Sequence, residues 1–242
     1  MPAVRSIGRE AVKIALVTGA AGGLGAAIST ALAETHHVVG LDLKPSQVAE
    51  PIEIDLTDAA AISEVFAGIG RRHGGLDVLV NNAGTCFMSD FPDISVEEFE
   101  AQMAVNFASM FHCCQAAIPL MMGREGVRKI INISSNGAYN FDVFDPPHYR
   151  ASKAAMDTLT KDLARRYATE KIAVNSIAPA MTETPLFGML DDETLAKAIS
   201  AMPHGEPMQP AQIAGWVAHL AGPMGDVCSG NVIILNQGRD VR

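Results

Sequence analysis

The stretch KIALVTGAAGGLG, residues Lys13–Gly25, decides the fold of this chain. It opens with a short, continuously apolar run, which is typical of a strand covered on both faces. The turn behind that run contains four glycines, Gly19, Gly22, Gly23 and Gly25. Glycines there allow a tight turn and let backbone N–H groups at the start of a helix approach a phosphate. A glycine-rich turn can be only a turn, but its position behind the first strand favours a dinucleotide-binding loop.

Short apolar runs and longer helical patterns alternate along the rest of the chain. The predicted strands are Lys13–Gly19, His37–Leu43, Pro51–Leu56, Leu76–Gly84, Lys129–Ser135, Lys171–Pro179 and Asn231–Gly238. The predicted helices are Gly23–Thr35, Asp58–Arg72, Ser95–Met122, Tyr149–Thr169 and Pro210–Ala221. This alternation predicts an α/β fold: a Rossmann-type, doubly wound parallel sheet of about seven strands in a three-layer α/β/α arrangement. A single domain over residues 1–242 is expected, with a substrate lid at about 180–209.

Composition narrows the kinds of protein that this chain can be. Of its 242 residues, 48% are hydrophobic and 19% charged, and the formal net charge is -9. The acidity and the lack of Lys/Arg runs argue against a nucleic-acid partner. No apolar run has the length of a signal peptide or a membrane span, so a cytoplasmic protein without membrane contact is expected. The four cysteines and seven histidines show no metal-ligand spacing, which favours free thiols and no metal site.

An acidic residue ends the second predicted strand. Asp42 lies about twenty residues beyond the glycines, where a carboxylate can accept hydrogen bonds from ribose hydroxyls and would repel a 2′-phosphate. The glycine loop contains no Arg or Lys, and Lys44 is the one base close behind Asp42. These features favour NAD over NADP. Asp42 could otherwise be a plain solvated turn residue.

The stretch HYRASK, His148–Lys153, places a tyrosine and a lysine four residues apart in a predicted helix. Residues at that spacing share a helix face, so a tyrosine packed over a lysine stem is the simplest interpretation. The other motifs favour a second interpretation. The chain resembles a short-chain dehydrogenase/reductase of the compact single-domain branch from Lys13 to Gly238. The resemblance is carried, in the family's order, by TGAAGGLG (18–25), Asp42, Asp55-Leu56, NNAG (81–84), Asn106, ISS (133–135), YRASK (149–153) and NSIAP (175–179).

The resemblance implies a catalytic tetrad of Asn106, Ser135, Tyr149 and Lys153. A free tyrosine has a pKa of about 10. The Lys153 ammonium, with the positive charge of the nicotinamide nearby, is expected to lower it so that Tyr149 can act as general acid and base. Lys153 would also hold the nicotinamide ribose, Ser135 would donate to the substrate oxygen, and Asn106 would anchor a relay water.

The serine assignment depends on a register of one residue. Ser135 precedes Tyr149 by 14 positions, one more than expected of close relatives. Ser134 points to the opposite face if the strand continues, and Asn136 stands at the usual spacing. Ser135 is preferred because it is the second serine of the family-like NISS, with the extra residue assigned to the loop NGAYNFDVFDPP.

The resemblance also assigns the cofactor and substrate contacts. Predicted cofactor contacts are Gly19, Gly22, Gly23, Leu24, Gly25, Asp42, Asp55, Leu56, Asn81, Ala83, Gly84, Tyr149, Lys153, Pro179, Thr182 and Thr184. Predicted substrate contacts are Ser135, Asn136, Tyr139, Tyr149, Ala180 and Phe187. Other pocket candidates are Gly137, Ala138, Phe141, Phe144, Met181, Met189 and Leu190, with Asn140, Asp142 and Asp145 interleaved. The sequence departs from the family pattern at Ala180, where a glycine is usual, and at Asn236-Gln237-Gly238, which is expected to lie away from the chemistry.

Three functions follow from these motifs. The first is an NAD-dependent dehydrogenase for a small to medium secondary alcohol or ketone, and the scarcity of basic residues near the predicted pocket disfavours anionic substrates. The second is an NADPH-dependent biosynthetic carbonyl reductase, such as a 3-oxoacyl thioester reductase. The third is a nucleotide-sensing protein without catalysis. Apolar residues on more than one face of Ser95–Met122 predict a homodimer or homotetramer.

Overall fold

The computed structural model describes residues 12–140 and 145–240, which form one sheet of seven parallel strands between layers of helices. The strands are β1 (Ile14–Thr18), β2 (His37–Asp42), β3 (Glu50–Glu53), β4 (Val78–Asn81), β5 (Arg128–Ile133), β6 (Ile172–Pro179) and β7 (Val232–Leu235). Their spatial order is β3-β2-β1-β4-β5-β6-β7. The chain therefore reverses its winding direction between β1 and β4, and the predicted doubly wound fold is confirmed.

The helices cover both faces of this sheet. They are α1 (Gly23–Leu32), α2 (Ala59–His73), α3 (Val96–Met103), α4 (Ser109–Met121), α5 (Pro147–Arg166), α6 (Asp192–Ser200) and α7 (Pro210–Ala221). Side chains alternate along each strand, so Leu16 packs in one apolar cluster with α2, α4 and α5. Ala15 and Val17 pack in the other cluster, against α1 and α7. Apolar residues on both faces are what the continuous runs in the sequence predict.

Two of the helices whose bounds differ from the prediction carry site residues. The predicted helix Ser95–Met122 consists of α3 and α4 joined by a π-helical turn at Ala104–Ala108, and the Ser95 hydroxyl caps α3 by accepting from the Glu98 N–H at 3.1 Å. The catalytic helix α5 begins at Pro147 and not at Tyr149. A proline fits the first helical position because its φ is already helical and its missing N–H has no helical partner there.

The predicted lid region contains more regular structure than its sequence indicated. It includes a 3₁₀ turn at Pro185–Met189 and helix α6, which Asp191 caps by accepting from the Thr194 N–H at 2.8 Å. Thr182 forms a β-bridge with Met208, which closes the segment at its base. The prediction that this region moves as a lid stays a prediction.

The described residues also bear on two composition-based predictions. None of their helices is long and apolar enough to cross a membrane. All four cysteines are free thiols, and Cys86, Cys113 and Cys114 are buried. Burial raises the pKa of Cys86 and of Cys114 to about 12, so both thiols stay protonated near neutral pH.

Candidate active site

A cavity of about 560 Å³ opens beyond the carboxyl ends of the central strands, where the winding direction reverses. Ligands of open parallel sheets bind at this position. Predicted site residues that line it are Gly19, Gly22, Gly23, Leu24, Asp42, Ala83, Gly84, Ser135, Asn136, Tyr149, Lys153, Pro179, Ala180, Thr182, Thr184 and Phe187. Most of the predicted cofactor and substrate residues are thus brought to one cavity.

The glycine loop between β1 and α1 is packed so tightly that two of its glycines have no room for a side chain. Gly19 has a φ of +66°, and a Cβ there would lie 2.9 Å from the Ala83 Cα. A Cβ on Gly25 would lie 1.8 Å from the Gly19 carbonyl oxygen. Gly22 faces open space at the N-terminal end of α1. The loop therefore presents bare backbone to the cavity beside a helix N-terminus, which is the environment that a pyrophosphate needs.

Asp42 lies at the end of β2 on the rim of the cavity. Its Oδ2 accepts a hydrogen bond from the Ala21 N–H at 2.9 Å, and its Oδ1 accepts one from the Lys44 N–H at 3.0 Å. These bonds hold the carboxylate beside the glycine loop, where it can accept further hydrogen bonds from ribose hydroxyls. Lys44 itself approaches Asp42 through its backbone.

Ser135, Tyr149 and Lys153 come together on the opposite side of the cavity. The Ser135 hydroxyl lies close enough to the Tyr149 phenol to affect its pKa, and its oxygen accepts from the Gly137 N–H at 3.0 Å. The Lys153 Nζ lies 5.9 Å from the centre of the Tyr149 ring and donates to the Ile133 carbonyl at 2.8 Å. Ser134 turns away and donates to Asp157 Oδ2 at 2.9 Å. Strand β5 thus presents Ser135, and not Ser134, to the tyrosine.

The charges around Tyr149 differ from the prediction. Burial, followed by the negative charge of Asp145, raises the pKa of the Tyr149 phenol, although the neighbouring Ser135 hydroxyl acts in the opposite direction. In the protein without cofactor, burial and Asp145 thus dominate the Tyr149 pKa, and the lowering expected from Lys153 together with the nicotinamide charge stays a prediction. Burial also lowers the pKa of Lys153 to about 8, against the opposing charges of Asp157 and Cys86.

Asn106 lies behind the cavity wall in the π-helical turn. Its Oδ1 accepts from the Thr85 N–H at 2.8 Å, and its Nδ2 donates to the Thr85 carbonyl at 3.0 Å and to the Ser152 Oγ at 3.1 Å. A Cβ on Gly84 would lie 3.4 Å from the Asn106 Oδ1 and 3.5 Å from the Lys153 Nζ. Asn106 therefore joins the loop after β4 to helix α5, close to Lys153.

Besides Gly25 and Asn106, four more predicted site residues are not among those that line the cavity. Asp55 Oδ1 accepts from Thr57 at the protein surface, and Leu56 is buried in the core. The Asn81 Nδ2 donates to Asn132 Oδ1 at 2.8 Å within the sheet. The Tyr139 hydroxyl donates to Asp157 Oδ2 at 2.8 Å, so it faces the same carboxylate as Ser134. Two further pocket candidates, Phe141 and Phe144, lie outside the described residues, as does Asp142.

The segment after β6 forms the wall opposite the glycine loop. Pro185 lies directly over the loop, since a Cβ on Gly23 would approach its Cδ to 3.1 Å. Phe187, Leu190 and Ala198 supply apolar surface farther along the same wall. Ala180 lines the cavity at the position where the sequence departs from the family pattern.

The C-terminal segment reaches the cavity, which the sequence did not predict. Arg239 is one of the lining residues. The Asp240 carboxylate accepts from Asn136 Nδ2 at 2.7 Å and from Asn140 Nδ2 at 3.1 Å. Asn236, Gln237 and Gly238, which are expected to lie away from the chemistry, are not among the lining residues, although Arg239 directly behind them is. Arg239 is a basic residue that the predicted pocket candidates did not include. Arg239 and Asp240 lie shortly after the end of β7, and polar residues behind a strand end are the sequence signal that could have indicated them.

A second cluster of polar side chains lies at the opposite edge of the sheet. Glu50 Oε2 lies 3.3 Å from the His37 Nε2 and 2.7 Å from the His73 Nε2, and Arg72 pairs with the other Glu50 oxygen. Partial burial raises the pKa of Glu50, but the hydrogen bonds from His73, Arg72 and His37 outweigh it and leave the pKa lowered. The His37 and His73 ring nitrogens and the Glu50 carboxylate could together hold a cation. No local sequence pattern indicated this cluster, because His37, Glu50 and His73 come from β2, β3 and α2.

Comparison with known proteins agrees with this geometry. The family described as short chain dehydrogenase matches residues 13–194. The 3-oxoacyl-(acyl-carrier-protein) reductase FabG of Vibrio cholerae is 32% identical over 93% of this chain and 96% of its own length. A 3alpha-hydroxysteroid dehydrogenase of Mediterraneibacter gnavus is 29% identical over 91% of this chain and 94% of its own. A short chain dehydrogenase of Burkholderia cenocepacia, solved in complex with NADP, superposes with a TM-score of 0.87 at 28% identity, covering 95% of this chain and 98% of its own.

Proposed function

The chain belongs to the short-chain dehydrogenase family and is an oxidoreductase of that family; from that premise we propose that it is an NAD-dependent dehydrogenase of small secondary alcohols and ketones. The observation that carries this proposal is the arrangement of one cavity. Ser135, Tyr149 and Lys153 meet at one end, and the Asp42 carboxylate stands beside a bare glycine loop at the other.

The cavity fits a nicotinamide dinucleotide. The loop from Gly19 to Gly25 would hold the pyrophosphate, because its glycines expose backbone to the cavity and it lies at a helix N-terminus. Asp42 would accept hydrogen bonds from the adenosine ribose, and Lys153 would donate to the nicotinamide ribose. When bound, the nicotinamide supplies the acceptor or donor of hydride.

The residues around Tyr149 would handle the proton and the charge on the substrate oxygen. As the phenolate, Tyr149 would accept the hydroxyl proton of an alcohol at its phenolic oxygen; as the phenol, it would give its proton to the oxygen of a ketone. Ser135 lies close to that phenol and can donate to the same substrate oxygen, which steadies the charge that develops there. Lys153 is largely protonated near neutral pH, since its pKa is about 8, and its positive charge favours the phenolate when the proton leaves.

Asp42 supports NAD over NADP. A 2′-phosphate would bring further negative charge against a carboxylate held by two backbone N–H groups. The glycine loop offers no Arg or Lys to compensate. The Burkholderia relative bound to NADP makes this the element of the proposal that most needs a direct test.

Absorbance at 340 nm tests the proposal during reactions of secondary alcohols with NAD⁺ and NADP⁺. We expect turnover with NAD⁺ that exceeds turnover with NADP⁺ by at least about tenfold, which corresponds to about 1.4 kcal/mol. Asp42→Ala should reduce that preference, whereas Asp58→Ala, a cap of α2 away from the cavity, should not. Equal or faster turnover with NADP⁺ would overturn the cofactor assignment.

A 3-oxoacyl thioester reductase is the second candidate, supported by the FabG relative. Consumption of NADPH with acetoacetyl-CoA, at a rate above that of NAD⁺ with any alcohol, would establish it instead. Binding of either dinucleotide without turnover across both substrate classes would favour the nucleotide-sensing alternative.

A further inference from the structure

We propose that Asp145 selects a substrate carrying a second hydroxyl group beside the reacting carbon, as in a vicinal diol or a small polyol. This inference rests on the proposed dehydrogenase function and names its substrate class. It concerns a side chain in the cavity that the proton-transfer chemistry of Ser135, Tyr149 and Lys153 does not use.

The position of Asp145 places its carboxylate next to the reacting groups. It lines the cavity four residues before Tyr149, just ahead of the start of α5, and its negative charge acts on the Tyr149 phenol. A Cβ on Gly137 would lie 2.0 Å from the Asp145 Oδ2 and 3.2 Å from the Ser135 Oγ. Because Gly137 has no side chain, the Asp145 carboxylate can occupy the space beside it. The Asp145 carboxylate and the Ser135 hydroxyl therefore both lie next to Gly137 in the cavity wall.

The carboxylate has no hydrogen-bond donor among residues 12–140 and 145–240. Burial raises the pKa of Asp145, and the charges of Arg150 and Arg239 oppose that effect without a direct hydrogen bond. Asp145 is partly exposed and faces the cavity, so a ligand that displaces water from its carboxylate has to supply a donor in return. A ligand hydroxyl placed beside the reacting carbon would satisfy it at little cost.

The surroundings indicate a neutral hydroxyl rather than another ligand group. Arg239 lines the same cavity and Arg150 acts on the same carboxylate, so an ammonium group would meet two positive charges. A carboxylate or phosphate on the ligand would be repelled by Asp145 itself. An alkyl chain packed against Asp145 would leave the acceptor unpaired. A hydroxyl group is uncharged and can donate a hydrogen bond to Asp145, so it has none of these three disadvantages.

The opposite wall limits the size and shape of the ligand. Met88, Phe187 and Leu190 provide apolar surface, and the same cavity of about 560 Å³ also has to contain the nicotinamide end of the cofactor. One polar side and one apolar side suit a short diol or polyol whose carbon backbone packs on the apolar residues.

The test compares matched pairs of alcohols that differ by one hydroxyl. The pairs are 2,3-butanediol with 2-butanol and 1,2-cyclohexanediol with cyclohexanol, each assayed for kcat/KM with NAD⁺. The unmodified protein is expected to prefer the diol of each pair by about 10- to 100-fold, which is the range for one hydrogen bond to a charged group. Asp145→Ala should lower this diol-to-monohydric ratio by a similar factor, and Asp145→Asn, which keeps a carbonyl acceptor, should lower it less.

A change in the Tyr149 pKa or in folding would alter kcat/KM for both alcohols of a pair and leave the diol-to-monohydric ratio unchanged. A change in that ratio therefore reports recognition of the second hydroxyl. Asp192→Asn, an exposed acid at the start of α6, is the matched control and should leave the ratio unchanged. Equal kcat/KM for diols and monohydric alcohols, or an unchanged ratio in Asp145→Ala, would overturn the inference and leave the dehydrogenase function standing. A lack of turnover with every alcohol and both cofactors would instead reject the dehydrogenase function.

Discussion

At the scale of single residues, the neighbouring serines Ser134 and Ser135 have different roles: Ser135 lies in the active site, and Ser134 stabilises the structure behind it. Ser135 contacts the Tyr149 phenol, and Ser134 donates to the buried side chain of Asp157. Asp157 also accepts from the Ser176 hydroxyl at 2.6 Å and from the Tyr139 hydroxyl at 2.8 Å. The carboxylate therefore gathers three hydroxyl groups from separate elements and holds them behind the catalytic wall.

Substitution by alanine is therefore expected to lower activity at Ser135 and stability at Ser134. Ser135→Ala should lower kcat by about 10²–10³-fold, as expected when a donor to a developing oxyanion is lost, with little change in stability. Ser134→Ala should lower the free energy of unfolding by about 1–3 kcal/mol, because a buried carboxylate loses a hydrogen bond, and should leave most of the turnover. Steady-state kinetics and chemical denaturation of both variants check this. Loss of turnover in Ser134→Ala with normal turnover in Ser135→Ala would reverse the assignment.

The lowered pKa of Lys153 predicts that the free energy of unfolding depends on pH. Its folded-state pKa of about 8 lies below the ordinary value of 10.5, so between these pH values the unfolded chain binds more protons than the folded one. The free energy of unfolding should then rise with pH in this window, relative to that of Lys153→Met, by on the order of 2 kcal/mol. Denaturation of both proteins without cofactor at pH 7.5 and pH 10 measures the difference. The control is Lys161→Met, which removes an exposed lysine from the same helix; a flat or falling difference for Lys153 would contradict the prediction.

Among the elements, the turn between β1 and α1 has the least tolerance for change. Gly25→Ala would bring a methyl group to 1.8 Å from the Gly19 carbonyl oxygen, so the backbone must move. Gly22→Ala would meet nothing within 4 Å, and the φ of -162° at Gly22 suits any residue.

The two glycines therefore form a matched pair. Gly25→Ala should lower the free energy of unfolding by about 2 kcal/mol or more, the cost of overpacking, whereas Gly22→Ala should stay within about 0.5 kcal/mol of the unmodified protein. Urea denaturation without cofactor checks both. Equal stability of the two variants would mean that the loop relaxes around the added methyl group.

At the scale of the whole molecule, the exposed apolar side chains include two groups that come from separate elements. Phe91 is 75% and Phe99 47% exposed around α3, and Met224 is 69% and Val227 95% exposed beyond α7. Exposed apolar side chains that cluster on a surface commonly mark contacts between protein chains. Two such groups on one subunit suit the closed symmetry of a dimer or a tetramer.

We therefore predict that copies of this chain assemble in solution. Multi-angle light scattering at micromolar concentration should report the mass of two or four chains of 25.6 kDa. Phe99→Asp should reduce the assembled mass if the region around α3 is an interface. A single-chain mass for the unmodified protein would contradict the prediction.

The sequence by itself determined the fold and the positions of the main motifs. Strand–helix alternation, the glycines at 19–25 and the Tyr149–Lys153 spacing are local patterns, and each acts through backbone conformation or through residues one helical turn apart. The strand ends at Asp42 and Ser135 could be found in the same way, because the carboxyl ends of parallel strands meet at one edge of the sheet.

Only the tertiary structure decided which polar groups meet there. Asp240 reaches Asn136 from 104 residues away, Arg239 and Asp145 enter one cavity, and Ser135 rather than Ser134 faces the tyrosine. The direction of the Tyr149 pKa shift also depended on this packing, because burial and the charge of Asp145 outweigh what the lysine spacing suggests. Contacts and desolvation between residues far apart in the chain have no local pattern, and they arise only when the sheet and its covering loops are assembled.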